Sequence, residues 1–559
     1  MQRPQLTFDL LMYKLVFTAI LLGAVFYSDN SFFETEIYGK WIFLNGFAFL
    51  LMLLAPITTH LTKNPYVYRI RISINLASLI FLVKLLLEKS YDETLVVLSF
   101  VIYYFFFCLF NRDNKQDIVI ISLFFIIGFT LSILAFIQYI NGLILISGTY
   151  DNPAGLALTL SCITPFIILG LKKSYSKYFR IICIACIIII GLAIYLSASR
   201  TGMIAYSFVL AYPLFKRHKI VFLVLLSIIV LLLTFCYKSQ SSSGRIFIYK
   251  TTLTMIEPSS LFMGKGSGAF EKEYMQYQAK QFEGRSDNRE YELLAGNTLH
   301  PLNEFLLLFV EHGALFLLIA LFLTLYLFKC KWQNDASFCC LVVILIFSLF
   351  SYPFKYPITI FMLAYCLTDC KDENEIKHEV ANSPFLRYIL MGISVCCICY
   401  LFTDIRHNIL WKKYLTKAEL GKYEEAEKGY KEIYPRMKSN FDFMYNYAAT
   451  RYNAKDYMEC LQLLKQATLL SNNYDTQLLT AQTYEKLQQD SLAFGYYQKA
   501  AQMCPNRFVP LYGMFKFYDS QGDTTSRNQI GVEILHKPIK IDSHTIREIQ
   551  ETVLGILNK

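Results

Sequence analysis

Charge is scarce in this chain. Only 17% of its 559 residues are Asp, Glu, Lys or Arg, against about a quarter in an average soluble domain. That shortage argues for a membrane protein. Other absences narrow the chemistry. None of the 15 cysteines combines zinc-site spacing with nearby histidines, so no structural metal is expected. Most lie inside apolar runs, among them Cys183, Cys186, Cys339, Cys340, Cys396, Cys397 and Cys399, where a thiol behaves as a small polarisable core group. No Asp-x-Asp suggests a metal-held nucleotide sugar, and no acidic pair stands out as a glycosidase dyad. The first apolar run has no small-residue cleavage site and is followed by many others, so it reads as a span and not as a signal peptide.

What the chain has in abundance is apolar surface, at 55% of residues, with 16% aromatic. A helix needs about 20 apolar residues to cross the hydrocarbon core. Spans are predicted near 10–27, 41–57, 72–87, 94–110, 118–140, 153–171, 181–198, 202–215, 219–236, 302–328, 338–352, 357–368 and 387–403. The pair over 338–368 is short enough to be tilted or partly re-entrant. The net charge of +10 is no nucleic-acid signature, because the positive residues gather in alternate short loops. Arg3 precedes the first span. Lys63, Arg69 and Arg71 follow the second, Arg112 and Lys115 the fourth, and Lys172, Lys173, Lys177 and Arg180 the sixth. Lys216, Arg217, His218 and Lys219 follow the eighth, and Lys329 and Lys331 the tenth. By the positive-inside rule these loops and the N-terminus are cytoplasmic. The turn at Ser199-Arg200, the long loop 237–301 and everything after about residue 404 are then expected outside, in the periplasm or its equivalent.

Beyond residue 404 the composition turns charged and amphipathic. Offsetting the tail by 34 residues sets Tyr423 over Tyr457, Ala426 over Cys460, Lys431 over Lys465 and Lys499, and Ile433 over Ala467 and Ala501. A period of 34 with small residues at the crossings resembles tetratricopeptide repeats. Three units are legible over 412–505, with a weaker one after "DSQGD". The expected fold is all-α: a polytopic helical bundle of about 12–13 spans over 1–403, with the large loop 237–301, then an α-solenoid over 404–559. Such a solenoid presents a concave face for a protein partner or packs as a scaffold.

Several polar residues stand where lipid or a plain loop does not call for them. Asn152-Pro153 reads as an N-cap followed by N1 of a helix. Arg200 sits between two apolar runs, on the side where the charge rule asks for no cation. A guanidinium is a bidentate fork for phosphate oxygens. Arg245 opens an amphipathic stretch, and Gly264, Gly266 and Gly268 form a G-x-G-x-G run, read as a tight turn rather than a nucleotide loop. The aromatic "EKEYMQYQAKQF" (271–282) reads as an interfacial helix. In "HPLNEF", Pro301 suits N1 and His300 the N-cap, and the i, i+3, i+4 spacing groups His300 with Asn303 and Glu304. His312 reads as a packing residue. Two arginines and a histidine at an outer membrane surface suit a pyrophosphate head on a lipid tail. A neutral imidazole can take a proton from an attacking hydroxyl.

Taken in order, "DNPAG", "SASRTGM", "GRIFIYK", "GKGSGAF" and "HPLNEFLLLFVEHG" make residues 148–316 resemble the core of the O-antigen ligase and polymerase superfamily. The resemblance implies periplasmic, metal-independent and inverting transfer of a glycan from undecaprenyl pyrophosphate to an acceptor hydroxyl, with no cofactor. It implies that Arg200 and Arg245 contact the pyrophosphate and that His300 is the essential histidine. Asn303, Glu304, Asn152, Gly266 and Gly268 would support them. Where many members read His-Asn, this chain reads His300-Pro301-Leu302-Asn303. The acceptor is left open between a protein hydroxyl and lipid A-core. A polysaccharide polymerase and, from another class, a lipid-linked sugar flippase stay as alternatives. The halves show no duplication of the kind common in transporters. No nucleic-acid partner is expected.

Overall fold

The computed structural model describes residues 4–62, 67–70, 72–109, 114–173, 176–218, 239–283, 289–371, 376–379 and 384–558. Helix accounts for 79% of it, in 23 helices. The first eight are α1 (Pro4–Phe26), α2 (Tyr38–Thr62), α3 (Ile72–Glu88), α4 (Tyr91–Leu109), α5 (Asn114–Ile140), α6 (Pro153–Lys173), α7 (Lys177–Leu196) and α8 (Arg200–Arg217). After them come α9 (Ser239–Thr254), α10 (Ala269–Phe282), α11 (Arg289–Glu292), α12 (Glu304–Lys329), α13 (Asp335–Phe350), α14 (Pro357–Leu367) and α15 (Pro384–Glu419). Six described helical segments are long and apolar enough to cross a membrane: 91–108, 118–140, 153–172, 177–196, 304–329 and 388–419. Shorter apolar helices cover 14–26, 38–54, 335–350 and 357–367. The span predicted over 219–236 lies outside the described residues, as do Arg3, Lys63, Arg71, Arg112 and Lys219.

Contacts divide the chain into two compact units. The first comprises Met1–Cys236, Leu302–Phe305 and Phe316–Arg406, and the second Tyr237–Pro301, Leu306–Leu315 and His407–Lys559. In the first unit α6 is the central helix, packed by α5, α7, α8 and α13. Its sequence explains that position. Gly202 on α8 comes so close to Ala157 that an added Cβ would lie 2.5 Å from the alanine methyl. The hydroxyls of Thr159 and Thr164 return to the carbonyls of Gly155 and Leu160, so they are satisfied in apolar surroundings. Edge-on aromatic contacts tie α1, α4 and α14 together, with Phe17 5.1 Å from Phe361 and Phe107 5.3 Å from Tyr365. Helix α14 has 11 residues, most of them buried. At about 16 Å it is far shorter than the ~30 Å hydrocarbon core.

Two antiparallel ribbons join loops of this unit. Strand β1 (Val67–Ile70) pairs with β4 (Ile376–Glu379), and β2 (Lys331–Trp332) with β3 (Cys370–Lys371). They bring the loops after α2, α12 and α14 to one end. Lys40, Asp151, Asn303 and Lys355 belong to loops or helix starts that meet at the other. Alternate loops therefore share an end, as in-and-out threading requires.

The tail of the second unit is a run of helices: α16 (Tyr423–Met437), α17 (Phe441–Asn453), α18 (Tyr457–Leu470), α19 (Tyr474–Lys486), α20 (Asp490–Met503), α21 (Val509–Ser520), α22 (Thr524–His536) and α23 (His544–Leu557). Polar caps start many of them. Asn440, Asp456, Asp523 and Ser543 each accept the N3 amide, and Asn473 with Thr476 forms a capping box. The same left-handed turn precedes α16, α18, α20 and α22, at Gly421, Lys455, Gln488 and Gly522. Two of these four turns lack the residue that adopts positive φ without cost. Lys455→Gly is expected to relieve about 0.5–1 kcal/mol of that strain, read as roughly threefold slower hydrogen exchange across α18. Faster exchange there would contradict it.

Buried Arg451 is the electrostatic centre of the tail. Its guanidinium pairs with Glu427, with Asp456 at 2.6 Å and with Glu459 at 2.7 Å. The hydrogen bond from Arg451 holds the Asp456 carboxyl below the usual carboxylate range. Arg451→Ala strands three carboxylates around a half-dry site. It should cost about 3–5 kcal/mol locally, seen as early proteolysis of the tail while the membrane helices stay intact.

Candidate functional site

The first unit carries a polar end built from four segments. Gln138, at the end of α5, satisfies three backbone groups of the following turn: its Nε2 donates to Gly148 O (2.8 Å), and its Oε1 accepts from Ser147 N and Gly148 N. That fixed turn delivers Thr149, whose carbonyl accepts from buried Lys40 Nζ at 2.7 Å. Next come Asp151 and Asn152. The Asn152 side chain accepts from Ala154 N at 2.9 Å, so Asn152 caps α6 and Pro153 opens it. Asp151 binds Lys355 Nζ at 2.6 Å, and the Lys355 carbonyl accepts from Trp41 Nε1 at 3.0 Å. Burial pulls the Lys355 ammonium down, but Asp151 more than compensates and leaves it above the usual lysine range. Asn303 Nδ2 donates to Leu349 O at 3.0 Å, and Glu304 accepts a long bond from Phe354 N.

Arg200 begins α8, after a turn in which Ala198 is left-handed (φ 52°) and Ser199 Oγ accepts from Gly202 N. At a helix start a cation opposes the macrodipole. Arg200 therefore gains nothing there as a helix stabiliser, and its charge adds to the positive end of the helix dipole. Both features favour an anion.

The second unit holds the glycine run and the first half of α12, and here the backbone is unusual. Helix α12 is broken at Gly313 (φ 82°, ψ 179°). In an unbroken helix Ala314 N and Leu315 N would bond to Val310 O and Glu311 O. Instead Ala314 N donates to Leu261 O (2.8 Å) and Leu315 N to Phe262 O (3.3 Å). The released carbonyls of Val310 and Glu311 accept from Lys265 N (2.9 Å) and Gly266 N (3.0 Å). The 261–266 loop thus exchanges two helix bonds for four bonds of its own. The buried Glu311 carboxylate also accepts from Phe270 N (3.2 Å), capping α10 from outside. Gly264, Gly266 and Gly268 all have positive φ. Lys265 is held beside them by Glu257 (2.9 Å), Glu273 (3.0 Å) and Tyr277 OH (2.7 Å). Burial depresses its ammonium, yet those partners leave it above the ordinary lysine range.

Arg245 lies half-buried on α9, two residues before Phe247, which stacks on Tyr291 at 5.0 Å. His300 is half-buried in the turn ahead of α12. The grouping of His300 with Asn303 and Glu304 on one helical turn is not formed. The helix starts at Glu304, not Pro301, because Leu302 is left-handed (φ 56°) and interrupts the register. Among the candidates, Asn152, Arg200, Asn303 and Glu304 belong to the first unit, and Arg245, Gly266, Gly268 and His300 to the second. His312 is buried at the break, where it has packing but also a structural setting that its sequence did not announce.

Sequence reading missed Lys355, Asp151 and Glu311. Lys355 could have been found: it is a cation in a loop of the wrong parity for the charge rule, the argument that singled out Arg200. Glu311 could not, because its role depends on a helix break that hydropathy does not register. A cavity of about 340 Å³ lies at the opposite end of the first unit, against Lys172, Tyr212, Trp332 and Asp335, and touches none of the candidates.

No curated protein and no solved structure matches the chain. The several apolar helices suit a multi-pass membrane protein. Residues 184–322 match the family model described as O-antigen ligase, which supports the O-antigen ligase superfamily for the stretch that holds Arg200, Arg245, Gly266, Gly268, His300, Asn303 and Glu304.

Proposed function

We propose that this chain is a membrane oligosaccharide ligase. It moves a glycan from undecaprenyl pyrophosphate to an acceptor hydroxyl on the periplasmic side of the bacterial inner membrane. The observation that carries the reading is the family match over 184–322, which spans both arginines and the histidine. In the proposed reaction His300 takes the proton of the acceptor hydroxyl as its oxygen attacks the anomeric carbon. The bond from that carbon to the pyrophosphate breaks, and the electron pair leaves with undecaprenyl pyrophosphate. Arg200 and Arg245 would meet the charge that develops there, usually the larger catalytic contribution. No metal is required by this scheme.

The C-terminal helices, read as tetratricopeptide repeats over 404–559, would dock the acceptor or the protein that brings it. That tilts the acceptor toward protein Ser or Thr over lipid A-core. On this reading, removing 412–559 changes acceptor choice more than donor binding. The test is a knockout read by lipopolysaccharide gel and by glycoprotein blot. Loss of one signal with retention of the other is expected and names the acceptor. Two unchanged signals would refute the ligase reading.

A further inference from the structure

The segment that carries His300 is tied down at four places within seven residues of it. Gln278 on α10 is fully buried, and its single Nε2 group donates both to Gly296 O (2.9 Å) and to Met503 O (2.6 Å). Asn297 Nδ2 donates to Asp475 Oδ2 in the first turn of α19 at 2.8 Å. Thr298 N reaches Met275 Sδ on α10 at 3.4 Å. Asn506, just beyond α20, donates to Leu293 O at 3.2 Å. Two of these tethers come from the tail, and a third, Gln278, bridges to it. The same helices share a core, in which Phe270, Tyr274 and Met275 of α10 pack with Tyr474, Ala500 and Met503. Backbone contacts reinforce it, since Ser471 Oγ and Asn472 N donate to the carbonyls of Glu271 and Lys272.

A module that only docked an acceptor would need none of this. Polar side chains buried at a contact cost free energy unless their partners are present; here the NH2 groups of Gln278, Asn297 and Asn506 find partners that join the approach to His300 to the tail, while their amide oxygens find none among the described residues. We propose that Gln278, Asp475 and Asn506 are positioning residues that hold His300 in its working place, so that the C-terminal helices contribute to turnover as well as to acceptor docking. The inference rests on the ligase reading with His300 as its base. A base must stand within hydrogen-bond reach of its proton, and misplacement by about 1 Å can cost as much as ~100-fold.

The experiment uses the full-length protein in detergent, with undecaprenyl-pyrophosphate-linked oligosaccharide extracted from the host membrane as donor. Asp475→Ala removes the acceptor of the Asn297 bond, and Asp475→Asn keeps an oxygen there. Asp475→Ala is expected to lower kcat about tenfold with donor KM changed by less than about twofold, and Asp475→Asn to restore most of it. Hydrogen exchange at 294–300 should quicken in Asp475→Ala alone. A stability effect without positioning would move neither the kcat–KM split nor the rescue. If Asp475→Ala turns over and exchanges like wild type while His300→Ala is inactive, the positioning role is wrong and the ligase reading stands. If His300→Ala is as active as wild type, the base assignment falls and takes this inference with it. Gln278→Ala, read by the same exchange, repeats the test from the α10 side.

Discussion

His300→Ala is expected to yield a membrane-inserted protein that transfers glycan roughly 100- to 10,000-fold more slowly, with donor affinity little changed. The fold should tolerate it. His300 precedes the helix proper, which begins at Glu304, and the left-handed Leu302 already separates the two. The loss therefore falls on the chemical step. Initial rates with reconstituted donor and acceptor measure it, and circular dichroism with protease mapping checks that the fold persists. Transfer at the wild-type rate would remove the base assignment.

Gly264→Ala and Gly313→Ala should both destabilise the protein strongly. A Cβ on Gly264 would lie 2.2 Å from the carbonyl oxygen of Glu311, and one on Gly313 would lie 2.3 Å from that of Phe262. Both obstacles are backbone, and both glycines sit at positive φ. Neither partner can step aside without giving up the crossed hydrogen bonds. Conformational strain and overpacking together come to about 3–5 kcal/mol. Gly266→Ala supplies the contrast. Its φ is 96° but the space around it is open, so only the strain of about 1–2 kcal/mol applies. Thermal unfolding in detergent should rank Gly264 and Gly313 well below Gly266. Equal melting temperatures for all three would show that the loop and the helix do not hold each other as described.

How much of this could be read from the residues alone varied with the physics of each feature. Spans and tail helices were legible because burial leaves a periodic trace: helices lie over each predicted span except 219–236, which is outside the described residues. Tail helices starting at 423, 457, 490 and 524 are spaced by 34, 33 and 34 residues, close to the 34-residue offset. Asn152-Pro153 was legible because capping is local. The His300 turn was misread because proline at N1 is a statistical preference. Leu302 is left-handed instead (φ 56°), which no local pattern announced. The break at Gly313 was invisible for a related reason. A run of Phe, Leu and Val has the same hydropathy whether its carbonyls bond within the helix or to a loop fifty residues earlier. Glu311 and Gln278 draw their roles wholly from such long-range contacts.

The crossed bonds at Gly313 also make the glycine loop and the helix one mechanical unit. Four amides and four carbonyls are paired between the two segments, so neither can shift alone without leaving buried backbone groups unpaired. A change that loosens either segment is therefore felt by both.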